Sequence, residues 1–455
     1  MRYLLLAYLL TLSLAAHAII AHPSPATITQ PDGSTVEIKL HGDEYLSFTT
    51  TIDGFTLILD NDGFMKYAVL ANDSLLSSDI VAHDASLRSK TEKQWLSKTP
   101  HYLVPKHSAA EAMSKRRNVS MAPALSLSQQ ASQAYNYDKF KGLVILVEFN
   151  DCKFSRDDIN QIFTDMITKE NYDGFVSSAG NKIQYTGSVR DYFYSNSMGR
   201  FNPNFDIVGP VTIDYAQTYP CASENNHIII PAALKAADPL VDYSLYDTDG
   251  DNAVDMVYFI FAGAGSNYAG NNSHYLWPHA AQVGSSMSLD GVKFKRYACS
   301  TEFYGQEKDR IIDGIGTICH EFSHVLGLPD LYDTDYATNG LSTSPEDWSI
   351  MAGGSYLNYA RTPCCYSLYE RYALGFASPE KITSAGEYSM QTIGQSNTGY
   401  RIDSSIQNEY FLLENRQNVG WDAHLPGHGM IVFRVDSTSV DKLSLIHNLR
   451  CRPIE

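Results

Sequence analysis

The sequence lacks several features that would indicate other classes of protein. Basic residues are in the minority, since 34 Lys and Arg accompany 51 Asp and Glu, and the net charge of −17 argues against a nucleic-acid or anionic-membrane partner. No Cys-x-x-Cys pair occurs among the seven cysteines, which argues against a thiolate metal site. Beyond the first 18 residues, no apolar run approaches the length of a membrane span. We therefore expect no nucleic-acid partner and no transmembrane segment in the mature chain.

Length and composition indicate a globular protein with more than one domain. The 455 residues are 44% hydrophobic and 19% charged, which supports a sizeable core and two or three domains. Residues 1–18 combine Arg2, an apolar run and the small-residue sequence Ala16-His17-Ala18, as a secretory signal and its cleavage site do. We expect the mature chain to be secreted or held at the cell surface.

The sequence HEFSHVLGLPD at residues 320–330 contains nearly all the parts of a zinc hydrolase site. On a helix, positions i and i+4 share a face, so His320 and His324 can direct their imidazoles at one cation. Glu321 is then placed to act as general base toward a water molecule. The alternative is an amphipathic helix with two merely polar histidines.

A third zinc ligand is predicted just beyond this helix. Gly327 can adopt a positive φ and end the helix, which lets the chain bring another side chain toward the two histidines. Asp330 is the first candidate. Asp333 is a rival oxygen ligand, and the spacing does not decide between the two.

Two residues downstream are candidates for supporting roles. Met351 lies in the sequence SIMAGGSY and would form an apolar floor beneath the ligands, although an ordinary core methionine fits the same pattern. Tyr356 could donate its phenol to the oxyanion of a tetrahedral intermediate. With 30 tyrosines in the chain, a bystander is the alternative.

The acidic segment 247–255 predicts a second metal site. Its carboxylates stand at alternate positions around a glycine, and calcium accepts about six to eight such oxygen ligands. A plain acidic surface turn is the alternative. The predicted ligands of this structural calcium ion are Asp247, Asp249, Asp251 and Asp255.

Apolar periodicity and turn signals give a coarse map of secondary structure. Short β-like runs between residues 26 and 70 indicate a β-rich module, and residues 105–135 lack periodicity, which predicts an exposed linker. Strands are expected again after about residue 380. The remaining predictions are buried strands at 142–149 and 254–262, an edge strand for an extended substrate at 292–303, and helices at 156–168, 226–237, 314–326 and 366–374.

These signals divide the chain into five parts. We predict a signal peptide at 1–18, a prosegment and linker at 19–135, a catalytic domain at 136–380, a β-rich C-terminal module at 381–442, and a tail at 443–455. The sequence of the tail resembles a translated vector or adapter, so we expect it to be non-native.

The chain resembles the secreted bacterial metalloproteases of the immune inhibitor A family, from about residue 142 to residue 435. The likeness is closest where residues 313–317 lead into the HExxH helix, and the extended motif resembles that of metzincins, with Asp in place of the commoner third His. The resemblance implies an α+β fold in which a zincin (metzincin-like) catalytic domain with a mixed sheet and an active-site helix lies between a small β-rich prosegment and a β-rich C-terminal module. Further points of likeness are WPH at 277–279, YERYALG at 369–375 and PGHGM at 426–430.

The resemblance also implies roles for individual residues. It carries over His320 and His324 as zinc ligands, Asp330 as the third ligand and Glu321 as the catalytic base. Residues 19–135 contain no cysteine, so a thiolate cannot cap the zinc of a latent form, and an oxygen ligand such as Asp43 stays open. The basic cluster at 115–117 is a candidate maturation site, although the segment could be a plain tether.

Together these observations predict a secreted zinc-dependent endopeptidase that is made as a precursor, cleaves internal peptide bonds of proteins and acts as a monomer. Two alternatives remain open. One is a zinc hydrolase of a non-protein substrate, such as a cell-wall glycan or amide. The other is an inactive zincin-fold binding protein.

Overall fold

The computed structural model describes residues 16–118, 137, 139–219, 226–283, 287–332, 344–436 and 453–454. The predicted signal peptide therefore lies outside the described residues except for its last three. Asp333 also lies outside them, as does the predicted tail except for Pro453 and Ile454. No helix in the described ranges combines the length and the apolar character that crossing a membrane requires.

The N-terminal part is a six-stranded antiparallel sheet in which each strand pairs with the next. Its inner face packs Val36, Ile38 and Tyr67 against Leu96, which lies on a short helix. The strands predicted between residues 26 and 70 are therefore present. In chain order the elements are β1 (Ala16–Ala18), which belongs to another sheet, then β2 (Ala26–Thr29), β3 (Thr35–Gly42), β4 (Ser47–Thr51), β5 (Thr56–Leu59), β6 (Met65–Ala71), β7 (Ser74–Val81) and helix α1 (Lys90–Leu96).

The prediction of an irregular linker from residue 105 was wrong for its first part, because helix α2 covers Lys106–Asn118. The backbone N–H groups of Lys106 and His107 donate to the carboxylate of Asp73, which satisfies two amides of the first turn. Alanine, lysine and glutamate favour a helix even where no apolar stripe exists. The basic cluster at 115–117 lies on this helix.

The central part of the chain alternates strands and helices. Each of the four predicted helices is present within a few residues of its expected bounds. The elements are β8 (Lys141–Glu148), α3 (Ile159–Thr168), β9 (Gly174–Val176), β10 (Lys182–Gln184), α4 (Val189–Asn196), β11 (Asn204–Thr212), α5 (Asn226–Ala237), β12 (Ala253–Val254), β13 (Val257–Ala264), β14 (His279–Gln282), β15 (Ser288–Leu289), β16 (Val292–Phe294), β17 (Arg296–Tyr304), β18 (Ile311–Ile312), α6 (Gly316–Val325) and α7 (Leu368–Ala373).

The main sheet is mixed, with the strand order β1-β14-β17-β13-β8-β11, and β18 pairs with β17. Strands β17, β13, β8 and β11 run parallel to one another, whereas β14 runs antiparallel to both of its neighbours, β17 and β1. Alternate residues of β8 and β13 face two hydrophobic cores, one containing α6 and the other α5. Burial on both faces explains the continuous apolar runs that predicted these strands. The arrangement is a mixed α+β fold.

The edge strand was predicted in the wrong place. Residues 296–304 form β17, which lies inside the sheet between β14 and β13, and β16 belongs to a separate small sheet with β12 and β15. Seven consecutive residues of β17 are buried, as an interior strand requires. Among the strands of the central part, β14 lies at the edge of the sheet opposite β11. Strand β1, from the start of the described chain, pairs with the outer side of β14.

The C-terminal part is a five-stranded sheet that shares a hydrophobic core with the helices of the central part. Leu412 and Phe433 lie in the same buried cluster as Phe322 and Leu368. The sheet is therefore packed against the helices of the central part. Its strands are β19 (Glu380–Lys381), β20 (Tyr400–Asp403), β21 (Glu409–Arg416), β22 (Gly429–Asp436) and β23 (Pro453–Ile454).

Candidate metal centre

Two glycines determine how helix α6 begins and ends. A Cβ on Gly316 would lie 1.9 Å from the carbonyl oxygen of Ser355, so only glycine permits this close approach of two backbones. Gly327 has a φ of +109° and follows the helix, as predicted. The chain then returns through Pro329, which brings Asp330 toward the helix.

Three predicted ligand atoms converge beside this helix. The Nε2 atom of His324 lies 3.1 Å from Nε2 of His320 and 3.2 Å from Oδ1 of Asp330. The remaining pair, His320 Nε2 and Asp330 Oδ1, is 3.5 Å apart. A tetrahedral zinc site with bonds of about 2.0–2.1 Å holds its donor atoms about 3.4 Å apart. The three buried side chains therefore fit a zinc ion.

Backbone carbonyls fix the tautomers of both imidazoles. The Nδ1 atom of His320 lies 2.7 Å from the carbonyl oxygen of Ile350, and that of His324 lies 2.8 Å from the carbonyl oxygen of Leu328. Because a carbonyl only accepts, each Nδ1 carries the proton and each Nε2 presents a lone pair. Burial lowers the pKa of His320, which favours its neutral form. Two lone pairs and a carboxylate oxygen this close repel one another unless a cation lies among them.

Glu321 lies beside the three residues and is fully buried. Its Oε1 accepts a 2.8 Å hydrogen bond from the backbone N–H of Ile19, and within the described residues its Oε2 accepts none. Burial raises the pKa of Glu321 well above its usual value, and the nearby carboxylates of Asp330 and Glu44 raise it further. A carboxylate in this setting is suited to take up and return a proton.

The N-terminal segment, residues 16–22, crosses this site. Strand β1 runs antiparallel to the edge strand β14, with Ala18 opposite His279. Extended peptides commonly bind by adding to a sheet edge in this way. At the next peptide bond, Ile19 N–H donates to Glu321, and the Ala18 carbonyl accepts a 2.6 Å hydrogen bond from the hydroxyl of Tyr332. The Ala18–Ile19 peptide bond is thus contacted at both its nitrogen and its oxygen.

The following residues are also held through their backbone. The indole Nε1 of Trp277 donates to the carbonyl of Ile19 at 2.8 Å, and the hydroxyl of Tyr356 donates to the carbonyl of Ile20 at 2.7 Å. A further hydrogen bond lies within the N-terminal part itself, where the Ala21 N–H donates to the carbonyl of Gly42. Contacts to the backbone are independent of side-chain identity, so they define a path that other peptides can follow.

The two predicted supporting residues lie in the turn after the site. Met351 is fully buried, and its N–H donates to Ser349 Oγ at 3.0 Å and to Glu370 Oε1 at 3.2 Å. Its carbonyl accepts from Leu331 N–H, which ties the turn to the segment that carries Asp330. Tyr356 contacts the carbonyl of Ile20 rather than that of Ala18, and its catalytic role stays a prediction.

Sequence reasoning missed Tyr332, whose hydroxyl contacts the carbonyl of Ala18. The one signal available was its position, two residues after the predicted ligand Asp330. The suggested cap, Asp43, uses its Oδ1 to accept the N–H groups of Tyr45 and Leu46 in its own turn. The contact with Glu321 comes instead from a backbone N–H of the same N-terminal part, and the role of Asp43 stays a prediction.

The structure brings together three of the four predicted calcium ligands. Asp247, Asp249 and Asp251 each offer a carboxylate oxygen within 4.8 Å of the others, in a partly exposed loop. Asp255 is engaged elsewhere, because Thr248 donates to it through both its N–H and its hydroxyl. Asp251 is paired with Lys295. The calcium site stays a prediction.

Comparisons with known proteins identify the family to which the central part of the chain is similar. Residues 128–372, more than half of the chain, match the family model of the immune inhibitor A peptidase M6 catalytic domain. The chain is 28% identical over 274 residues to Immune inhibitor A of Bacillus thuringiensis subsp. alesti, which covers 50% of this chain and 38% of that relative. It is 26% identical over 255 residues to the pre-pro-metalloprotease PrtV of Vibrio cholerae serotype O1, which covers 48% of this chain and 27% of that relative.

The alignments thus span about a third of the length of these two relatives. The match to the family model includes helix α6, the predicted ligands and the turn with Met351. The chain therefore belongs to the immune inhibitor A peptidase M6 family, and residues 128–372 correspond to its catalytic domain.

Proposed function

We propose that this chain is a secreted zinc-dependent endopeptidase that is made as a precursor. The observation that carries the proposal is the convergence of His320 Nε2, His324 Nε2 and Asp330 Oδ1 within 3.1–3.5 Å, next to the buried Glu321. The relative from Vibrio cholerae is named a metalloprotease, which supports the same activity here. The metzincin-like form of the site, with Asp330 rather than Asp333 as the third ligand, is part of the proposal.

The chain's own residues account for the proton transfers. His320, His324 and Asp330 would hold a zinc ion, which would supply Lewis acidity to a water molecule and to the substrate carbonyl. Glu321 takes a proton from the attacking water and delivers it to the leaving nitrogen. Its contact with the nitrogen of the Ala18–Ile19 peptide bond supports the second of these steps. Tyr332 donates to the carbonyl on the other side of such a bond, where negative charge develops.

The contacts along residues 18–22 favour a peptide substrate over a glycan. The carbonyl of Ile19 accepts from Trp277, that of Ile20 accepts from Tyr356, and the N–H of His22 donates to the carbonyl of Asn267. A peptide backbone repeats these donors and acceptors at each residue, whereas a glycan does not. The alternative of a non-protein substrate therefore has no comparable support. Met351 is proposed as the apolar floor of the site.

The position of residues 19–22 supports the precursor form that we propose. Ile19 N–H contacts Glu321, and the carbonyls of Ile19 and Ile20 accept from Trp277 and Tyr356, so a substrate cannot bind until these residues leave. Strand β1 lies within the proposed signal peptide, so signal cleavage after Ala18 would remove it and leave Ile19 as the first residue of the precursor. We propose residues 19–135 as a prosegment, residues 136–380 as the catalytic domain and residues 381–442 as a C-terminal module. Secretion rests on the signal sequence at 1–18, and a calcium ion in the 247–255 loop is proposed as structural.

An assay with and without a zinc chelator tests the function. The full chain, loaded with zinc and activated by a limited tryptic cut, should release peptides from casein, and phenanthroline should stop the release until zinc is restored. Replacing Glu321 by Ala should lower hydrolysis by at least about 1,000-fold while zinc stays bound, because it removes the proton carrier alone. Retained hydrolysis in Glu321→Ala would overturn the assignment of the base. Absence of hydrolysis in the zinc-loaded wild type would overturn the function.

A further inference from the structure

The side chain of His22 is buried in a cup of three tyrosines. Its ring centroid lies 4.9 Å from that of Tyr268, 5.1 Å from that of Tyr304 and 4.5 Å from that of Tyr356. The imidazole Nε2 is 2.6 Å from the hydroxyl of Tyr304. His22 retains 6% of its exposure, so the cup encloses it almost completely. We call these three residues the tyrosine cup.

Hydrogen bonds define which form of His22 the cup holds. The N–H of Ser24 donates to Nδ1 at 3.2 Å, so Nδ1 carries no proton and Nε2 donates to Tyr304. Burial lowers the pKa of His22 to about 3, in agreement with a neutral ring. The edges and faces of the three tyrosines surround a flat, neutral heteroaromatic group.

The cup belongs to the part of the chain that matches the catalytic domain, because all three tyrosines lie within residues 128–372. Departure of the N-terminal segment therefore removes the occupant and leaves the walls in place. Backbone contacts fix which residue of a bound peptide reaches the cup. Ile19 N–H meets Glu321, and His22 N–H donates to the carbonyl of Asn267 at 2.8 Å.

We propose that the tyrosine cup is a substrate subsite that takes a flat, neutral aromatic or heteroaromatic side chain at the fourth residue after the cleaved bond. The register follows from the contact of Glu321 with the nitrogen of Ile19. A substrate that follows the same backbone path places the first residue after its cleaved bond at the position of Ile19 and the fourth at the position of His22. The inference rests on the proposed peptidase function and adds to it a substrate preference.

The chemistry of the cup predicts an order of preference. Histidine, tyrosine and phenylalanine gain ring contacts that alanine lacks. Lysine and aspartate would bring a charge into a space where Tyr268 and Tyr356 are each at most 5% exposed, and that desolvation is unfavourable. Histidine has the further advantage of the hydroxyl of Tyr304 as an acceptor.

Quenched fluorescent peptides test the preference. Each carries residues 16–21 of this chain, AHAIIA, followed by His, Phe, Tyr, Ala, Lys or Asp as the fourth residue after the expected cut. The enzyme is the zinc-loaded full chain, activated by a limited tryptic cut. We expect kcat/KM for the three aromatic peptides to be about 10-fold above that for Ala, and those for Lys and Asp to be lower than for Ala.

A substitution separates the hydroxyl contact from the shape of the cup. Tyr304→Phe should reduce kcat/KM for the His peptide by about 5- to 10-fold and leave the Phe and Ala peptides unchanged. The Ala peptide and the melting temperature report whether the variant is folded. Tyr388→Phe, at an exposed tyrosine of the C-terminal part, is the control and should alter none of the peptides.

The outcomes distinguish the subsite from the function. Equal rates for all six peptides, or faster cleavage of the charged ones, would overturn the subsite while the peptidase function stands. A loss in Tyr304→Phe that is the same for every peptide would show a structural role and overturn the contact. Absence of hydrolysis for every peptide and for casein would overturn the peptidase function and the subsite with it.

Discussion

The two clusters of metal-ligating side chains differ in how far the protein itself fixes their geometry. His320, His324 and Asp330 are all at most 4% exposed, and a backbone carbonyl holds each imidazole in one tautomer. In the acidic loop, Asp249 and Asp251 are exposed, and Lys295 already neutralises part of the charge.

The difference in burial indicates which of the two clusters depends on a bound metal ion. The buried cluster has no solvent to separate its donor atoms, so without a cation the three would repel one another in a medium of low polarity. The exposed loop can remain folded with water, lysine or its own amides as partners, since Gly250, Asp251 and Asn252 all donate to Asp247. We therefore expect the buried site to bind zinc tightly and to control catalytic activity. We expect calcium binding in the acidic loop to affect only the stability of the fold.

The largest expected effect separates the two clusters directly. His324→Ala removes one of three buried donors, so zinc affinity should fall by more than about 100-fold, beyond what loss of an outer contact costs. Asp249→Asn should leave zinc affinity and kcat unchanged. Competition with a chromogenic chelator measures both affinities. A reduced zinc affinity in Asp249→Asn, or an unchanged zinc affinity in His324→Ala, would contradict the distinction between the two clusters.

The next effect concerns two tyrosines near the buried site. Tyr332→Phe should lower kcat by about 10- to 100-fold with little change in KM, because its hydroxyl contacts the carbonyl of the bond at Glu321. Tyr356→Phe should mainly raise KM, since its hydroxyl contacts a carbonyl two residues farther along. Steady-state kinetics on one fluorescent peptide distinguish the two. If Tyr356→Phe had the larger effect on kcat, the prediction from the sequence that Tyr356 is the catalytic donor would be favoured instead.

The smallest expected effect concerns calcium binding in the acidic loop. In a background with both His320→Ala and His324→Ala, which should hold no zinc, EGTA should lower the melting temperature by a few degrees, at about 2–4 °C for each kcal/mol of calcium binding. The same addition should have no effect on a chain that also carries Asp249→Asn. Scanning calorimetry in added calcium checks this. A melting temperature that EGTA leaves unchanged would favour the plain acidic turn.

Local patterns predicted four of the seven α-helices in the described residues, namely α3, α5, α6 and α7, together with the two buried strands. The i, i+4 spacing of His320 and His324 and the glycine after them determine a helix and its end through contacts within a few residues. Helix α5 has the predicted bounds, and β8 and β13 were recognised because burial on both faces requires apolar residues throughout. These features depend on neighbours along the chain.

Features that depend on distant residues were not predictable in the same way. The order of strands in the sheet was missed, because whether β17 lies inside or at the edge depends on where β14 pairs. The contact between Ile19 and Glu321 joins residues 302 positions apart, and no periodicity records it. Helix α2 was missed for another reason, since it lacks the amphipathic stripe on which the prediction relied.

The zinc content of the folded chain is the most direct test of the metal site formed by His320, His324 and Asp330. Purified full-length chain, reconstituted with zinc, dialysed and analysed by elemental mass spectrometry, should hold one zinc ion per molecule. Glu321→Ala should hold the same amount, and the double variant His320→Ala with His324→Ala should hold none. A folded wild-type chain that contains no transition metal and takes up none on reconstitution would contradict the proposed zinc site.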